Sequence, residues 1–122
     1  MTRKRILIVD DDNRNIFALS AVLRSRGFDC ISRTSAREAI DLLKGDEIID
    51  MVLMDMMMPD MDGYEAIPEI KKIHKRNKVP VISVTAQAMT GDKEKCIAAG
   101  ADNYISKPVD VDKLLNLLEQ YK

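Results

Sequence analysis

The chain has 122 residues, enough for one domain with a hydrophobic core that needs no disulfide bonds. Its 19 basic and 20 acidic residues leave a net charge of −1, which disfavours direct nucleic-acid or membrane-surface binding, and no apolar run approaches the about 20 residues of a membrane span. Cys30 and Cys96 are too far apart for a disulfide framework or metal knuckle, so we expect reduced thiols in a soluble cytoplasmic protein without a signal peptide.

Strand-like and helix-like patterns alternate from the N terminus. An apolar run at 6–9 predicts a first strand, and the helical spacing that follows it predicts a helix that ends at Gly27. A short polar–apolar alternation predicts a second strand at 29–33. Ser35 followed by Glu38 has the form of a capping box, so we expect a second helix to begin there.

The second half of the chain continues the alternation. The predicted elements, in chain order, are a strand at 51–54, a helix from Asp62-Gly63, a strand at 81–84, a short helix at 90–99, a strand at 103–106 and a helix capped by Asp110. The short helix has few apolar anchors, which is typical of a loosely held element.

This alternation predicts a parallel sheet with helices on both faces. The runs at 6–9, 51–54 and 81–84 are almost wholly apolar and should be central, whereas the more polar 29–33 and 103–106 should lie at the edges. With right-handed crossovers, this favours a doubly wound five-stranded α/β sheet of order 2-1-3-4-5, a flavodoxin-like arrangement. We expect it to form one domain over residues 1–122.

Acidic residues follow two neighbouring strands of this sheet. The first strand runs into Asp10, Asp11 and Asp12, and the third ends in Asp55. Ligands of such sheets bind at the carboxyl ends of the strands where the strand order reverses, so Asp10, Asp11 and Asp55 should meet there. Two unit charges about 4 Å apart repel by about 4 kcal/mol at a surface-like dielectric. The cluster therefore predicts a bound cation.

A hydroxyl and an ammonium group should lie at the same carboxyl ends of the strands, because Thr85 follows the fourth strand and Lys107 the fifth. Carboxylates with few other ligands suit Mg²⁺, with Mn²⁺ as a substitute. A carboxylate can act as nucleophile toward a phosphoryl group, whose charge the metal, a lysine and a hydroxyl would stabilise. The five glycines are scattered, which disfavours a nucleotide-binding loop. The residues therefore predict phosphoryl transfer to Asp55.

Six motifs run through the chain in order. They are Val9-Asp10-Asp11, Leu53-Met54-Asp55, Met58-Pro59-Asp60-Met61-Asp62-Gly63, Val84-Thr85-Ala86, Gly100-Ala101-Asp102 and Tyr104-Ile105-Ser106-Lys107-Pro108. Together they resemble the receiver domain of two-component response regulators over essentially the whole chain. The resemblance fits a single-domain regulator and equally a receiver from a hybrid histidine kinase.

The resemblance implies a metal site and an acceptor. Asp55 would be the phosphoacceptor. Asp11 and Asp55 would bind Mg²⁺ directly, Asp10 would reach it through water, and the Met57 carbonyl would add a ligand. Asp12 would then be free to cap the first helix.

The resemblance also implies a switch. Thr85 would turn toward the phosphoryl group, Tyr104 would move inward with it, and Lys107 would pair with the phosphoryl group beside a cis peptide bond to Pro108. The donor would be a phosphohistidine on a histidine kinase or a histidine phosphotransfer protein. A downstream protein would read the face formed by helix 4, strand 5 and helix 5.

Two positions that tune phosphoryl hydrolysis in this family carry Met57 and Gln87. Neither is acidic, and a methionine cannot position water by a strong hydrogen bond. We therefore expect slow self-dephosphorylation.

The basic run after 70 has a simpler interpretation. Lys71, Lys72, Lys75 and Arg76 surround the only histidine, His74. We expect these side chains to form a solvated face. A phosphohistidine role for His74 is not expected, because the donor histidine of the family lies on a partner.

Other functions fit the acidic run less well. Asp10-Asp11-Asp12 also matches the motif that opens haloacid-dehalogenase-like phosphatases, with Asp10 as nucleophile and Asp12 as acid–base. That alternative leaves Asp55 without a role and places Arg14 where a threonine or valine is expected. A docking module with a degenerate site is a third class, which the complete set of site residues disfavours.

Overall fold

Five strands and five α-helices alternate along the chain in the computed structural model, which describes residues 3–85 and 91–121. The strands are β1 Arg5–Val9, β2 Asp29–Arg33, β3 Met51–Asp55, β4 Val81–Thr85 and β5 Asn103–Ser106. The helices are α1 Asn13–Ser25, α2 Ala36–Lys44, α3 Gly63–Lys72, α4 Asp92–Ala99 and α5 Val111–Glu119, with a short 3₁₀ helix at His74–Arg76. The predicted start of the fourth helix, residue 90, lies outside the described residues.

All strand pairs are parallel, and the sheet order is β2-β1-β3-β4-β5, as predicted. The register pairs Val9 with Met54, so Asp10 and Asp55 leave neighbouring strands at the same level. Asp55 in turn pairs with Val84, one residue before Thr85. These pairings bring the ends of β1, β3 and β4 together.

The sheet separates two buried clusters. On one face, α1 and α5 contribute Ile16, Leu23, Leu114 and Leu118. In the buried cluster on the other face, most of the residues that come from helices belong to α2 and α3, and α4 contributes only Cys96. Both faces of the central strands are therefore covered, which explains their continuous apolar runs. None of the helices over the described residues is both long and apolar enough to cross a membrane.

Helix caps follow the sequence signals closely, with one difference. Asp62 and Glu65 form a complete capping box at the start of α3. At the start of α2 only half of the predicted box forms, because Ser35 accepts from the Glu38 backbone N–H while the Glu38 carboxylate accepts from the Thr34 hydroxyl at 3.3 Å. The Glu38 carboxylate thus meets the hydroxyl of the residue before the cap and not the backbone N–H of Ser35.

Arg76 corrects the interpretation of the basic run as a solvated face. His74 and Lys75 are exposed as expected, but Arg76 is 6% exposed. Its guanidinium donates to the carbonyl oxygens of Leu43 at 2.8 Å, Gly45 at 3.1 Å and Glu47 at 2.6 Å. It thereby ties the 3₁₀ helix to the last turn of α2 and to the loop after it. Carbonyl groups in the last turn of a helix have no partner within the helix.

Replacing Arg76 by alanine should lower the free energy of unfolding by about 2–4 kcal/mol, because one buried and two part-buried hydrogen bonds from a charged donor are lost. Urea unfolding followed by circular dichroism would measure it. Lys75→Ala is the matched control, since the Lys75–Asp46 pair is exposed and its loss should cost at most about 0.5 kcal/mol. Equal losses in both variants would contradict a structural role for Arg76.

Candidate functional site

Three carboxylates meet at the carboxyl edge of the sheet. Oxygen atoms of Asp10, Asp11 and Asp55 all lie within 4.8 Å of one another. Asp10 and Asp55 are 3% and 2% exposed, whereas Asp11 is exposed. The arrangement is thus two buried carboxylates with a third at the opening, which is an oxygen-rich site of the kind that hard divalent cations prefer.

Asp10 is held by two donors from the segment that follows it. The backbone N–H of Asp12 donates to its Oδ1 at 2.9 Å, and the Asn15 amide donates to its Oδ2 at 3.4 Å. Sequence reasoning missed Asn15. Its position in the first turn of α1, directly after the acidic run, is the signal that could have identified it.

Asp12 is separate from the other two acids of the run. Its carboxylate accepts from the Arg14 backbone N–H at 2.9 Å and caps α1. That hydrogen bond is the main cause of the lowered pKa of Asp12. A carboxylate engaged in this way is poorly placed to be the acid–base partner of Asp10, so the geometry does not favour the phosphatase alternative.

Lys107 brings a positive charge to the buried carboxylates. Its Nζ lies 3.2 Å from Asp55 Oδ2 and 3.7 Å from Asp10 Oδ2. Burial alone would lower the pKa of Lys107, but attraction by Asp55 and Asp10 raises it. The backbone N–H of Lys107 donates to the Thr85 carbonyl at 2.7 Å, and the peptide bond to Pro108 is cis.

Neighbouring groups shift the pKa of the Asp55 carboxyl group in opposite directions. Burial raises its pKa above the ordinary value, and the charge of Asp10 adds to the increase. The Met57 backbone N–H, 3.0 Å from Asp55 Oδ1, and Lys107 oppose it. The net direction is upward, because burial outweighs the hydrogen bond from Met57 and the charge of Lys107.

The loop after β3 is packed tightly against the site. A Cβ atom at Gly63 would come within 2.9 Å of the Met56 Cα and 3.2 Å of the Asp55 carbonyl oxygen, so only glycine fits there. The Gly63 N–H donates to the Met56 carbonyl at 3.3 Å. This close approach anchors the start of α3 directly behind Asp55.

The expected switch residues lie on β4 and β5. Thr85 is 4% exposed at the end of β4, and Tyr104 is half-buried against the cluster on the α2–α3 face. Ser83, which pairs with Tyr104 across the strands, is fully buried, and its hydroxyl has no partner among the described residues. Gln87, the second expected hydrolysis position, lies outside the described residues.

A cavity of about 230 Å³ adjoins Asp10, Asp55 and Lys107. Its other lining residues are mostly apolar and come from the sheet, α1 and the segment after Lys107. One side of the acceptor carboxylate is therefore a largely apolar space.

A phosphoryl group placed beside Asp55 would meet a nucleophilic carboxylate, a lysine and an oxygen-rich cation site. With this site at the switch point of a doubly wound sheet, the fold and site have the parts of a regulatory phosphoacceptor. The model of the response regulator receiver domain family matches residues 6–119. The chain therefore belongs to that family and is a receiver domain of two-component systems.

Two curated relatives illustrate the contexts in which such domains occur. The chain is 33% identical to the polar-differentiation response regulator DivK of Brucella ovis over 97% of this chain and 95% of that protein. It is 38% identical to the signal transduction histidine-protein kinase BarA of Escherichia coli over 96% of this chain. That match spans only 13% of the kinase.

Solved structures of receiver domains superpose closely. One is the receiver domain of the sensor histidine kinase PA1611 of Pseudomonas aeruginosa, solved with magnesium in its active-site cleft (32% identity, 98% of both chains, TM-score 0.89). Another is the Saccharomyces cerevisiae receiver domain of Ssk1 in complex with the histidine phosphotransfer protein Ypd1 (25% identity, 98% of this chain, 88% of that chain, TM-score 0.89).

Asp55→Asn should stabilise the metal-free protein near neutral pH. Because the folded-state pKa of Asp55 is raised, its stabilising contribution is present below the ordinary carboxyl pKa of about 3.9 and is lost as the pH rises through the folded-state value. The advantage of the variant should therefore shrink as the pH falls toward 4. Urea unfolding with a chelator, from pH 4 to 8, would measure it.

The control for this pH series is Asp41→Asn, which changes an exposed carboxylate on α2. Its stability curve should run parallel to that of the unchanged protein. If the Asp55→Asn curve is also parallel, the buried carboxylate is not the source of the pH dependence.

Proposed function

We propose that Asp55 accepts a phosphoryl group from a phosphohistidine on a partner protein. The observation that carries this proposal is the position of Asp55, buried and within 4.8 Å of two further carboxylates, with the Lys107 ammonium 3.2 Å away. A phosphorus–oxygen bond to an Asp55 oxygen would form as the bond to the histidine nitrogen breaks. The domain would thus catalyse its own phosphorylation.

The donor set fits a magnesium ion. Asp10, Asp11 and Asp55 supply hard oxygen ligands, and the Met57 carbonyl would complete the protein's share. Three carboxylates share this site with the single ammonium group of Lys107, so their negative charge outweighs its positive charge. When bound, Mg²⁺ would neutralise charge on the transferred phosphoryl group, and Mn²⁺ should substitute because it prefers similar ligands.

The protein's own groups would then hold the product. The Lys107 ammonium would pair with a phosphoryl oxygen, and the Thr85 hydroxyl would bond to another. Phosphorylation adds a charge of about −1.5 to −2 at this edge. Tyr104, half-buried beside β4, would move inward as Thr85 turns, which couples the chemistry to the outer surface.

The output surface we propose is formed by α4, β5 and α5. In α4 only Cys96 is fully buried, and it lies close to the Tyr64 side chain of α3. Burial and the neighbouring Cys96 raise the pKa of Tyr64 to about 12. A helix held by so few buried contacts can shift at low cost, which suits a surface that a downstream protein reads.

The phosphoryl donor would be a histidine kinase or a histidine phosphotransfer protein. The Ssk1 receiver domain, which superposes on this chain, was solved in complex with such a phosphotransfer protein. The kinase relatives show that similar receivers also occur inside histidine kinases. We also predict that the protein is located in the cytoplasm and that it makes no direct contact with nucleic acid.

A small acyl phosphate with Mg²⁺ should label Asp55 alone, and Asp55→Asn should lose the label completely. Peptide mapping by mass spectrometry would identify the modified residue. Label at Asp10, with turnover of phosphomonoesters, would favour the phosphatase alternative. The absence of label in the presence of Mg²⁺ would favour a docking module.

A matched pair of substitutions separates the acidic residues. Asp11→Ala should abolish Mg²⁺-dependent labelling, because it removes a metal ligand. Asp12→Ala should leave labelling nearly intact and cost about 1 kcal/mol of stability through the lost helix cap. Similar losses of labelling in both variants would contradict the proposed division of roles.

Met57→Asn should speed loss of the phosphoryl group by about two- to tenfold, the effect of one neutral hydrogen bond to the attacking water. Phosphate release after removal of the donor would measure it. Ile48→Asn is the control, because Ile48 is also 65% exposed but lies in the loop before β3, at the opposite edge of the sheet. An unchanged rate for Met57→Asn would contradict the proposed reason for slow hydrolysis.

A further inference from the structure

We propose that Met57 is a site of reversible oxidation to methionine sulfoxide, and that this modification shortens the lifetime of the phosphoryl group on Asp55. The oxidation follows from the exposure of the residue alone. Its effect on lifetime rests on the proposed function, because it requires a phosphoryl group on Asp55.

Met57 differs from its neighbouring methionines in exposure. The residue is 65% exposed, and exposure is what makes a methionine susceptible to oxidants in solution. The methionines that are at most 8% exposed are Met51, Met54, Met56 and Met58. Met61 is half-buried. Among the methionines that the structure describes, Met57 should react first.

The thiols, which usually react faster than thioethers, are protected. Cys96 is fully buried on α4, and Cys30 is 8% exposed on β2. Burial raises the pKa of the Cys30 thiol, so little of the reactive thiolate is present. An oxidant that meets this protein would therefore reach the Met57 sulfur before either cysteine.

The backbone places Met57 directly at the acceptor. Its N–H donates to Asp55 Oδ1 at 3.0 Å, so the residue that carries the exposed thioether also touches the acceptor carboxylate. The cavity beside Asp55 has a largely apolar lining that offers water few hydrogen-bond partners. The Met57 side chain is therefore well placed to affect water that approaches from the exposed side.

Oxidation changes what this side chain can do. With hydrogen peroxide as oxidant, a sulfur–oxygen bond forms as the oxygen–oxygen bond breaks; the sulfur loses two electrons and the peroxide is reduced to water. A thioether is a weak hydrogen-bond acceptor, whereas the sulfoxide oxygen is a polar one. It can accept a hydrogen bond from water and orient that water toward phosphorus.

The hydrolysis that follows is the ordinary one. The water oxygen forms a bond to phosphorus as the bond from phosphorus to the Asp55 oxygen breaks. Asp55 returns as a carboxylate with both of its oxygens. Inorganic phosphate leaves with the oxygen of the attacking water, and the released proton passes to solvent. Reduction of the sulfoxide by methionine sulfoxide reductases would restore the slow rate.

The first experiment maps the oxidation in the unphosphorylated protein. After brief treatment with hydrogen peroxide, peptide mass spectrometry should find sulfoxide at Met57 before any of the four buried methionines. Methionine sulfoxide reductase should remove it. Oxidation of a buried methionine first, or of either cysteine before Met57, would overturn the inference whether or not Asp55 accepts a phosphoryl group.

The second experiment measures the lifetime. Protein labelled with acyl phosphate and freed of donor should lose its phosphoryl group about two- to tenfold faster after oxidation, as one added hydrogen bond to water allows. Reductase treatment should reverse the change. An unchanged or slower rate would overturn the regulatory effect.

Two variants assign the change in rate to one residue. In Met57→Leu, which keeps the side-chain volume without the sulfur, the rates before and after peroxide treatment should be equal. In Met61→Leu the increase should persist. A persistent increase in Met57→Leu would assign the effect elsewhere and overturn the inference. Failure of Asp55 to take up label would overturn the proposed function, and the lifetime effect with it, while leaving the mapping result valid.

Discussion

The pairing of β1 with β3 is the constraint on which the site depends. Its register places Asp10 and Asp55, two residues that repel each other, at the same edge of the sheet. The strands cannot move apart, because the side chains that lead into these acids are at most 1% exposed in the core. The burial that stabilises the sheet therefore also maintains the repulsion. Lys107, which follows β5, offsets part of this repulsion. A bound cation would supply the positive charge that is still needed.

A change of charge at the acceptor site would affect the surface of the domain, because the two regions differ in how tightly they are packed. The acceptor edge is rigid, since β3 and β4 are buried throughout and Gly63 fixes the loop behind Asp55. The α4 side of the domain is held less firmly, by Cys96 and its contact with Tyr64. A change of charge at the rigid edge would thus be expressed where the packing is weakest. Met57 belongs to the acceptor side through its backbone, which donates to Asp55, while its side chain is exposed to solvent.

Sequence reasoning found the parts of the fold that local chemistry dictates. Alternation, apolar runs and capping residues located the strands and helices, and the uneven polarity of the strands gave the sheet order. It misjudged Arg76, because a residue in a basic run carries no local sign that it will bind three carbonyl groups of α2 and the loop after it. It missed Asn15 for a similar reason, since an asparagine in a first helical turn is ordinary until its amide meets Asp10.

The sequence by itself determined which residues end each strand, and hence that acids, a hydroxyl and a lysine would share one edge of a parallel sheet. The spacing of apolar residues and the local composition suffice for this, because both can be read from a short stretch of neighbouring residues. The helix cap at Asp12 was expected from its place before α1, but only the tertiary structure decided that Asp10 is buried and Asp11 exposed. It also decided that one methionine of the segment after β3 would face solvent beside the acceptor. Both outcomes depend on packing between elements far apart in the chain, and no local pattern records it.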